Sequence, residues 1–277
     1  MSIADASRID THLHLLDPAR FPYGADNPYH PQGQEIGTLA QMRAVFAANG
    51  VERALLVQPS SGYGSDNAAM LDAIAQSGGL WRGIAVVPAD ITHDALAALK
   101  AQGVAGVAYN MPFHPAGHYA AYARVTEMLV DLDMVLDIQF IGDGIFEAQA
   151  LLGRSPVRLA VDHCGRPVLS DGLSAPAFRA LLRLAEREAE TVIKVSGHHK
   201  FAAFPWPFDE AAPFVAEILR AWGPDRCVWG SDWPFLRVPE RVDYGPLALL
   251  LERALPDAAA RAKVFRDTAL RVFWGEV

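Results

Sequence analysis

The chain has 277 residues, of which 51% are hydrophobic and 20% charged, and its 24 basic and 32 acidic residues give a formal charge of -8. That composition supports a packed core and excludes a disordered, collagen-like or disulfide-scaffold chain. It also argues against nucleic acid as a partner, which would call for a basic surplus, and means that a site for an anion must bring its own cations. The two cysteines, Cys164 and Cys227, make no disulfide framework and read as buried small hydrophobes. The opening MSIADASRID lacks a signal-peptide pattern, and no stretch of about 18 apolar residues suggests a membrane span. The expectation is a soluble, cytoplasmic protein acting on a small molecule, with no membrane or nucleic-acid partner and its oligomeric state open.

In chain order, the strand candidates are RIDTHLH from Arg8, RALLVQ from Arg53, LWRGIAVV from Leu80, VAGVAYN from Val104, MVLDIQF from Met134, VRLAVDH from Val157, TVIKVSG from Thr191 and RCVWGSD from Arg226. Amphipathic segments such as TLAQMRAVFAANG, HDALAALKAQG and APAFRALLRLAEREAE lie between them. Gly50, Gly103 and Gly223 mark helix ends. Strands alternating with helices predict a parallel sheet, and eight strands can close a (β/α)8 TIM barrel, a single α/β domain over residues 1–277. Two long turn-rich segments, Asp17 to Gly37 and His198 to Phe208, read as loops over the C-terminal face of a distorted barrel. The segment from about Asp257 to Trp274 reads as a last helix outside the barrel.

In such a barrel the chemistry sits at the C-terminal strand ends, and seven of the eight strands end in or near a polar group. Strand one ends in Asp10, His12 and His14, whose spacing of two places all three on one inward face. The plainer reading of Asp10 is that it only orients the histidines or caps a turn. The other ends bring Gln58, Asn110, Gln139, His163, Lys194 running on to Ser196 and His198, and Asp232. Any one of these is more often a loop-facing polar group, but core packing gives no reason for seven. Two imidazoles and a carboxylate suit a divalent ion such as zinc, or can hold a water and polarise a carbonyl without one. Trp206, Phe208, Trp233 and Phe235 either wall the pocket or pack in the core.

Four blocks carry a resemblance: DTHLH at Asp10 to His14, DHCGRP at Asp162 to Pro167, KVSG at Lys194 to Gly197 and WGSDWPF at Trp229 to Phe235, with GYGSDN at Gly62 to Asn67 adding to it. The chain resembles the amidohydrolase superfamily in its amidohydrolase-related branch. Within that branch it is most similar to lactonases of the pyrone-dicarboxylate and sugar-acid type. The resemblance implies a (β/α)8 barrel and hydrolysis at an ester or amide carbonyl, with His12, His14 and His163 at the reaction centre and Asp232 as the base. It implies that Arg166 and Lys200 hold a substrate carboxylate. Gln139 stands where mononuclear metal members carry a histidine, which favours a site that requires no cofactor. A divalent ion such as zinc, if bound, would fall on His12, His14 and Asp232. VAYNM at Val107 to Met111 has no arginine, although the dicarboxylate lactonases carry one on that strand.

The expected function is hydrolysis of a small carboxylated or sugar-derived lactone. Asp232 activates a water from a dry site that raises its pKa, and the three histidines donate to the oxyanion. Gln58, Asn67, Asn110 and Gln139 would fix hydroxyls or the ring oxygen, and Lys194 would be either a substrate contact or an ion-pair partner. The alternatives are a metal-dependent amidohydrolase or nonoxidative decarboxylase, and a catalytically silent sugar-acid binder. Hydrolysis is not separable from lactone isomerisation at this level.

Overall fold

A computed structural model describes residues 7–115 and 117–276. Eight strands lie in one sheet in chain order and every pair is parallel: β1 Arg8–Leu13, β2 Val51–Val57, β3 Trp81–Ala85, β4 Val104–Asn110, β5 Val135–Gln139, β6 Arg158–Val161, β7 Thr191–Val195 and β8 Cys227–Trp229. A helix follows each strand: α1 Leu39–Asn49, α2 Ala68–Ala75, α3 His93–Ala101, α4 Ala123–Asp131, α5 Gly144–Leu152, α6 Pro176–Arg183, α7 Ala212–Trp222 and α8 Tyr244–Ala254. Together they make the (β/α)8 barrel that the alternating pattern predicts. The helix signals act locally: Thr38 caps α1 by accepting from the Gln41 backbone N–H, and Gly50 ends it in the left-handed conformation.

The apolar residues form two layers. The larger packs the outer faces of the strands against the helices. The smaller fills the bore, with Ile9, Leu55, Ile84, Val135, Ala160, Val192 and Val228 pointing inward from six further strands and β1. The C-terminal segment departs from its expected place. A short α9 (Ala258–Ala262) runs into wider turns at Lys263–Asp267 and Leu270–Trp274. Ala269, Val272 and Phe273 then join the bore cluster rather than the outer ring, and so plug the N-terminal mouth. The physical reason is the open lower end of the bore, which exposes apolar side chains unless something covers it.

The barrel closes between β8 and β1 through individual bonds instead of a continuous ladder. Thr11 Oγ1 donates to the Trp229 carbonyl (2.7 Å), Asp232 N donates to the His12 carbonyl (2.7 Å), and His14 N donates to the Trp233 carbonyl (2.8 Å). Asp10 Oδ1 accepts from the backbone N–H groups of both His12 (3.1 Å) and Ser231 (2.9 Å), and Oδ2 accepts from the Tyr244 hydroxyl (2.7 Å) on α8. Asp10 therefore does not share the inward face expected for it. The pairing of β1 with β2 shifts register between Asp10 and Leu13, and this irregularity turns Asp10 toward the helix layer. Gly230 is required at this seam, because a Cβ there would stand 2.7 Å from the His12 Cβ. No helix among the described residues is long and apolar enough to cross a membrane.

Phe273→Ala removes a large side chain from the bore plug, at the end opposite the catalytic strand termini. The expected outcome in urea unfolding is a loss of about 3–5 kcal/mol, with turnover per folded molecule retained.

Candidate active site

At the C-terminal ends of the strands lies a cavity of about 610 Å³. Its lining includes His12, His14, Gln58, Asn110, Gln139, His163, Arg166, Lys200 and Asp232 from the residues singled out in the sequence. Asp232 is at the centre, fully buried, on a backbone with φ of 63° that turns it into the cavity. Its Oδ1 lies 3.3 Å from His14 Nε2, 3.7 Å from His12 Nε2 and 3.8 Å from His163 Nε2. Its Oδ2 lies 2.9 Å from His199 Nε2 and 3.2 Å from Lys200 Nζ.

His163, Cys164 and Arg166 also adopt positive φ, so the chain leaving β6 makes a tight left-handed turn that presents His163 and Arg166 together. Gly197 allows β7 to pass close by, since a Cβ there would sit 2.6 Å from His163 Nδ1. Burial alone would raise the Asp232 pKa, as the sequence reading expects. Lys200, with His163 and His199 beside it, instead carries it well below the ordinary carboxylate value, so the carboxylate stands ionised. His163 is pushed well below its usual value, chiefly by burial, and is neutral.

The hydrogen-bond partners decide what two of the histidines offer. His14 Nδ1 lies 2.8 Å from the Val57 carbonyl, which can only accept, so Nδ1 carries the proton and Nε2 turns a lone pair to the cavity. His12 Nδ1 lies 3.0 Å from Asp162 Oδ1, which only accepts, and 3.1 Å from Lys194 Nζ, which only donates; in the tautomer that bonds the carboxylate, Nε2 is again left as an acceptor. In their neutral forms His12 and His14 therefore cannot donate to an oxyanion, contrary to expectation. Two imidazole lone pairs and a carboxylate oxygen converging on one place form a donor set that fits a divalent ion, and His12, His14 and Asp232 satisfy that fit.

Beneath this layer is a buried charge cluster. Lys194 is fully enclosed, with Nζ 2.7 Å from Asp137 Oδ1, 2.9 Å from Asp162 Oδ1 and 3.1 Å from His12 Nδ1. The lysine is thus a partner of the carboxylates under the site and not a cavity-lining substrate contact. Asp162, held by His12 and Lys194, stays ionised well below the usual carboxylate range although burial opposes it. Burial and the neighbouring Asp162 charge push Asp137 up to about 8. Two carboxylates around one ammonium thus keep a proton between them.

Several other expectations are corrected. Asn67 is spent locally: its Nδ2 donates to the Ser65 and Val86 carbonyls and its Oδ1 accepts from Val86 N, so it shapes the loop after β2 and does not line the cavity. Gln58 lines the cavity, but its Nε2 is used by the Gly64 and Asp66 carbonyls. Arg166 stays in the cavity as expected: it donates to the Lys200 carbonyl (3.3 Å) and its buried Nε has no partner among the described residues. The walls are formed by Tyr109, Phe113 and Phe204, not by Trp206, Phe208, Trp233 or Phe235. The loop Asp17 to Gly37 contributes no lining residue, whereas the segment after β7 supplies His199, Lys200, Ala202 and Phe204.

His199 is the principal omission of the sequence reading. The run His198–His199–Lys200 was legible, but only the fold shows that His199 meets Asp232 while His198 packs near Phe201. Asp137 was readable from its spacing of two from Gln139 on one strand, and Arg237 on the loop after β8 carried no signal.

An eight-stranded barrel with histidines from strands one and six and an aspartate after strand eight defines a class of enzymes that act at a carbonyl. The amidohydrolase family profile matches residues 9–274, and the chain belongs to that family. It is 33% identical over 272 residues to the 4-sulfomuconolactone hydrolase of Rhizobium radiobacter, covering 95% of this chain and 89% of that one. It is 26% identical over 268 residues to the D-galactarolactone isomerase of Agrobacterium fabrum, covering 96% and 90%. Among solved structures, a Pseudomonas putida protein assigned as a 2-pyrone-4,6-dicarboxylic acid hydrolase superposes with a TM-score of 0.87 at 26% identity, covering 100% of both chains.

The Asp137 proton gives a signed pH prediction. A carboxylate held up to about 8 in the folded state binds a proton that the unfolded chain has released above its ordinary value near 3.8. Stability from this group is therefore present at low pH and is lost as pH rises toward 8. Urea midpoints should fall from pH 5 to pH 8 in the wild type, and Asp137→Asn should flatten that slope.

Proposed function

We propose that the chain is a lactonase that opens the ester bond of a small acidic lactone, with Asp232 taking a proton from the attacking water. The observation that carries this reading is the convergence of an ionised, buried Asp232 with three histidines and Arg166 in one cavity. The similarity to enzymes named for lactone substrates supports it.

In this reading the Nε2 of His12 or His14 accepts a hydrogen bond from one proton of the water, while the other proton passes to Asp232 Oδ1 and from there to the departing ring oxygen as the ester C–O bond breaks. Ser196 Oγ lies 3.0 Å from His163 Nδ1, and in the tautomer in which the hydroxyl donates to Nδ1 the His163 Nε2 proton polarises the lactone carbonyl. Arg166 binds a substrate carboxylate through its free nitrogens, and Asn110 and Gln139 offer neutral amides to ring substituents. Lys200 both bonds Asp232 and lines the cavity, so a substrate anion that draws Lys200 away makes the aspartate a stronger base.

The reaction requires no metal in this reading, because Lys200 already supplies positive charge beside Asp232. A divalent ion would be held by His12, His14 and Asp232, and when bound it would supply Lewis acidity toward the carbonyl oxygen. We place the protein in the cytoplasm, with Cys164 and Cys227 as buried free thiols.

Asp232→Asn should lower turnover in a lactone panel by about 10²- to 10⁴-fold while thermal unfolding shows a retained fold. Because Asp232 is held low in the free protein, ionisation of this carboxylate should place no acid limb on the wild-type kcat/KM between pH 5 and 8, as a pH–rate profile would show. Exhaustive chelation should leave turnover intact. Collapse on chelation, with recovery on zinc or manganese, would assign the cluster as a metal centre and overturn the metal-independent reading. Ring opening in H₂¹⁸O should place one label in the product carboxylate, whereas isomerisation would leave the product unlabelled.

A further inference from the structure

Two arginines line the cavity, Arg166 within it and Arg237 on the loop after β8, and neither has a carboxylate partner within 4.0 Å among the described residues. The carboxylates of the lining are already engaged, Asp162 by His12 and Lys194 and Asp232 by His199 and Lys200. Lys200 is spent in turn on Asp232 and on the Leu236 carbonyl (2.6 Å). In a chain of net charge -8, two guanidinium groups on one cavity with no direct ion pair are the exception to its electrostatics.

The place of Arg237 is built rather than incidental. Its backbone takes φ of 55°, in the left-handed region that a side chain other than glycine rarely adopts. Its N–H donates to Glu35 Oε1 (2.6 Å), and the Tyr29 hydroxyl donates to the same carboxylate (2.6 Å and 2.5 Å to its two oxygens). The guanidinium lies 4.2 Å from the Tyr29 ring centroid. Stacking on a ring uses the face of the guanidinium and leaves its N–H edge free for a bidentate anion. The loop after β1 therefore acts on the site indirectly: Tyr29 and Glu35 hold Arg237 at the cavity rim.

We propose that Arg237 is a specificity-determining residue that binds a second anionic group of the substrate, remote from the reacting carbonyl, while Arg166 binds the first. The proposal rests on the lactonase reading above for the word substrate, and it deepens that reading to a lactone bearing two anionic groups, carboxylate or sulfonate. Asn110 at the end of β4 supplies no charge, so the second anion is met from the loop after β8 instead. The guanidinium is solvent-exposed, so its contribution weakens as salt rises.

The test is calorimetric titration of the intact protein at low salt with α,ω-dicarboxylates from malonate to adipate and with the matching monocarboxylates. At least one dicarboxylate should bind about tenfold or more tightly than its monocarboxylate partner. Arg237→Met should abolish that advantage, and Arg237→Lys should retain part of it. Arg241→Met, which removes the same charge from an exposed pair with Asp243 on the same loop, should preserve it. The absence of any dicarboxylate advantage, its survival in Arg237→Met, or equal loss in Arg241→Met overturns the proposal. Lactone turnover by the wild type is scored separately. An intact dicarboxylate advantage with no lactone turned over would sink the lactonase reading alone, and turnover without the advantage would sink only the role of Arg237.

Discussion

The site depends on the seam at which β8 meets β1. A parallel barrel brings its last strand beside its first, and here the junction is held by one buried carboxylate. Asp10 gathers the backbone N–H groups of His12 and Ser231 and the hydroxyl of Tyr244. Burial raises its pKa to about 6, a cost that these donors offset only in part. In return, His12 of β1, His14 just beyond it and the aspartate after β8 are fixed in register, since Asp232 N bonds the His12 carbonyl and His14 N bonds the Trp233 carbonyl. Every distance from Asp232 to an imidazole of β1 depends on that junction.

Above the apolar bore, the polar groups are stacked by depth. Lys194, Asp137 and Asp162 form a closed charge cluster with no exposure to speak of, and its upper face is the Asp162 carboxylate that accepts the His12 Nδ1 proton. Such a cluster is weak evidence for stability, because the desolvation of its charged groups opposes their attraction. Its consequence here is directional: it sets which nitrogen of His12 faces the cavity. The Val57 carbonyl does the same for His14. The chemical character of the site is thus decided one layer below the residues that line it.

Asp232 shows why burial alone is a poor guide to acidity. A carboxylate in a dry pocket is ordinarily pushed up, yet five cationic or imidazole groups surround this one and the balance goes the other way. The same principle acts in the opposite sense on Asp137, which shares its only close cation with a second carboxylate. Two aspartates of equal burial are driven apart by the company they keep.

The amino-acid sequence determined the eight strands, their parallel order and the polar strand ends His12, His14, His163 and Asp232 at one end of the barrel, and the family resemblance of its motifs added Arg166 and Lys200. Apolar periodicity and strand-end polarity are local properties, and the cavity brings those six together. Only the tertiary structure decided that Asp10 turns outward, that Asn67 and Lys194 face away from the cavity, that the last helical segment plugs the bore, and that His199 and Arg237 join the site. Each of these turns on a bulge, a loop or a partner far away in the chain: the register shift in β1, the Val86 carbonyl for Asn67, Asp137 for Lys194, Tyr29 for Arg237. A strand fixes where its side chains point through its own alternation, but which polar group meets which depends on the chain segments that folding brings alongside.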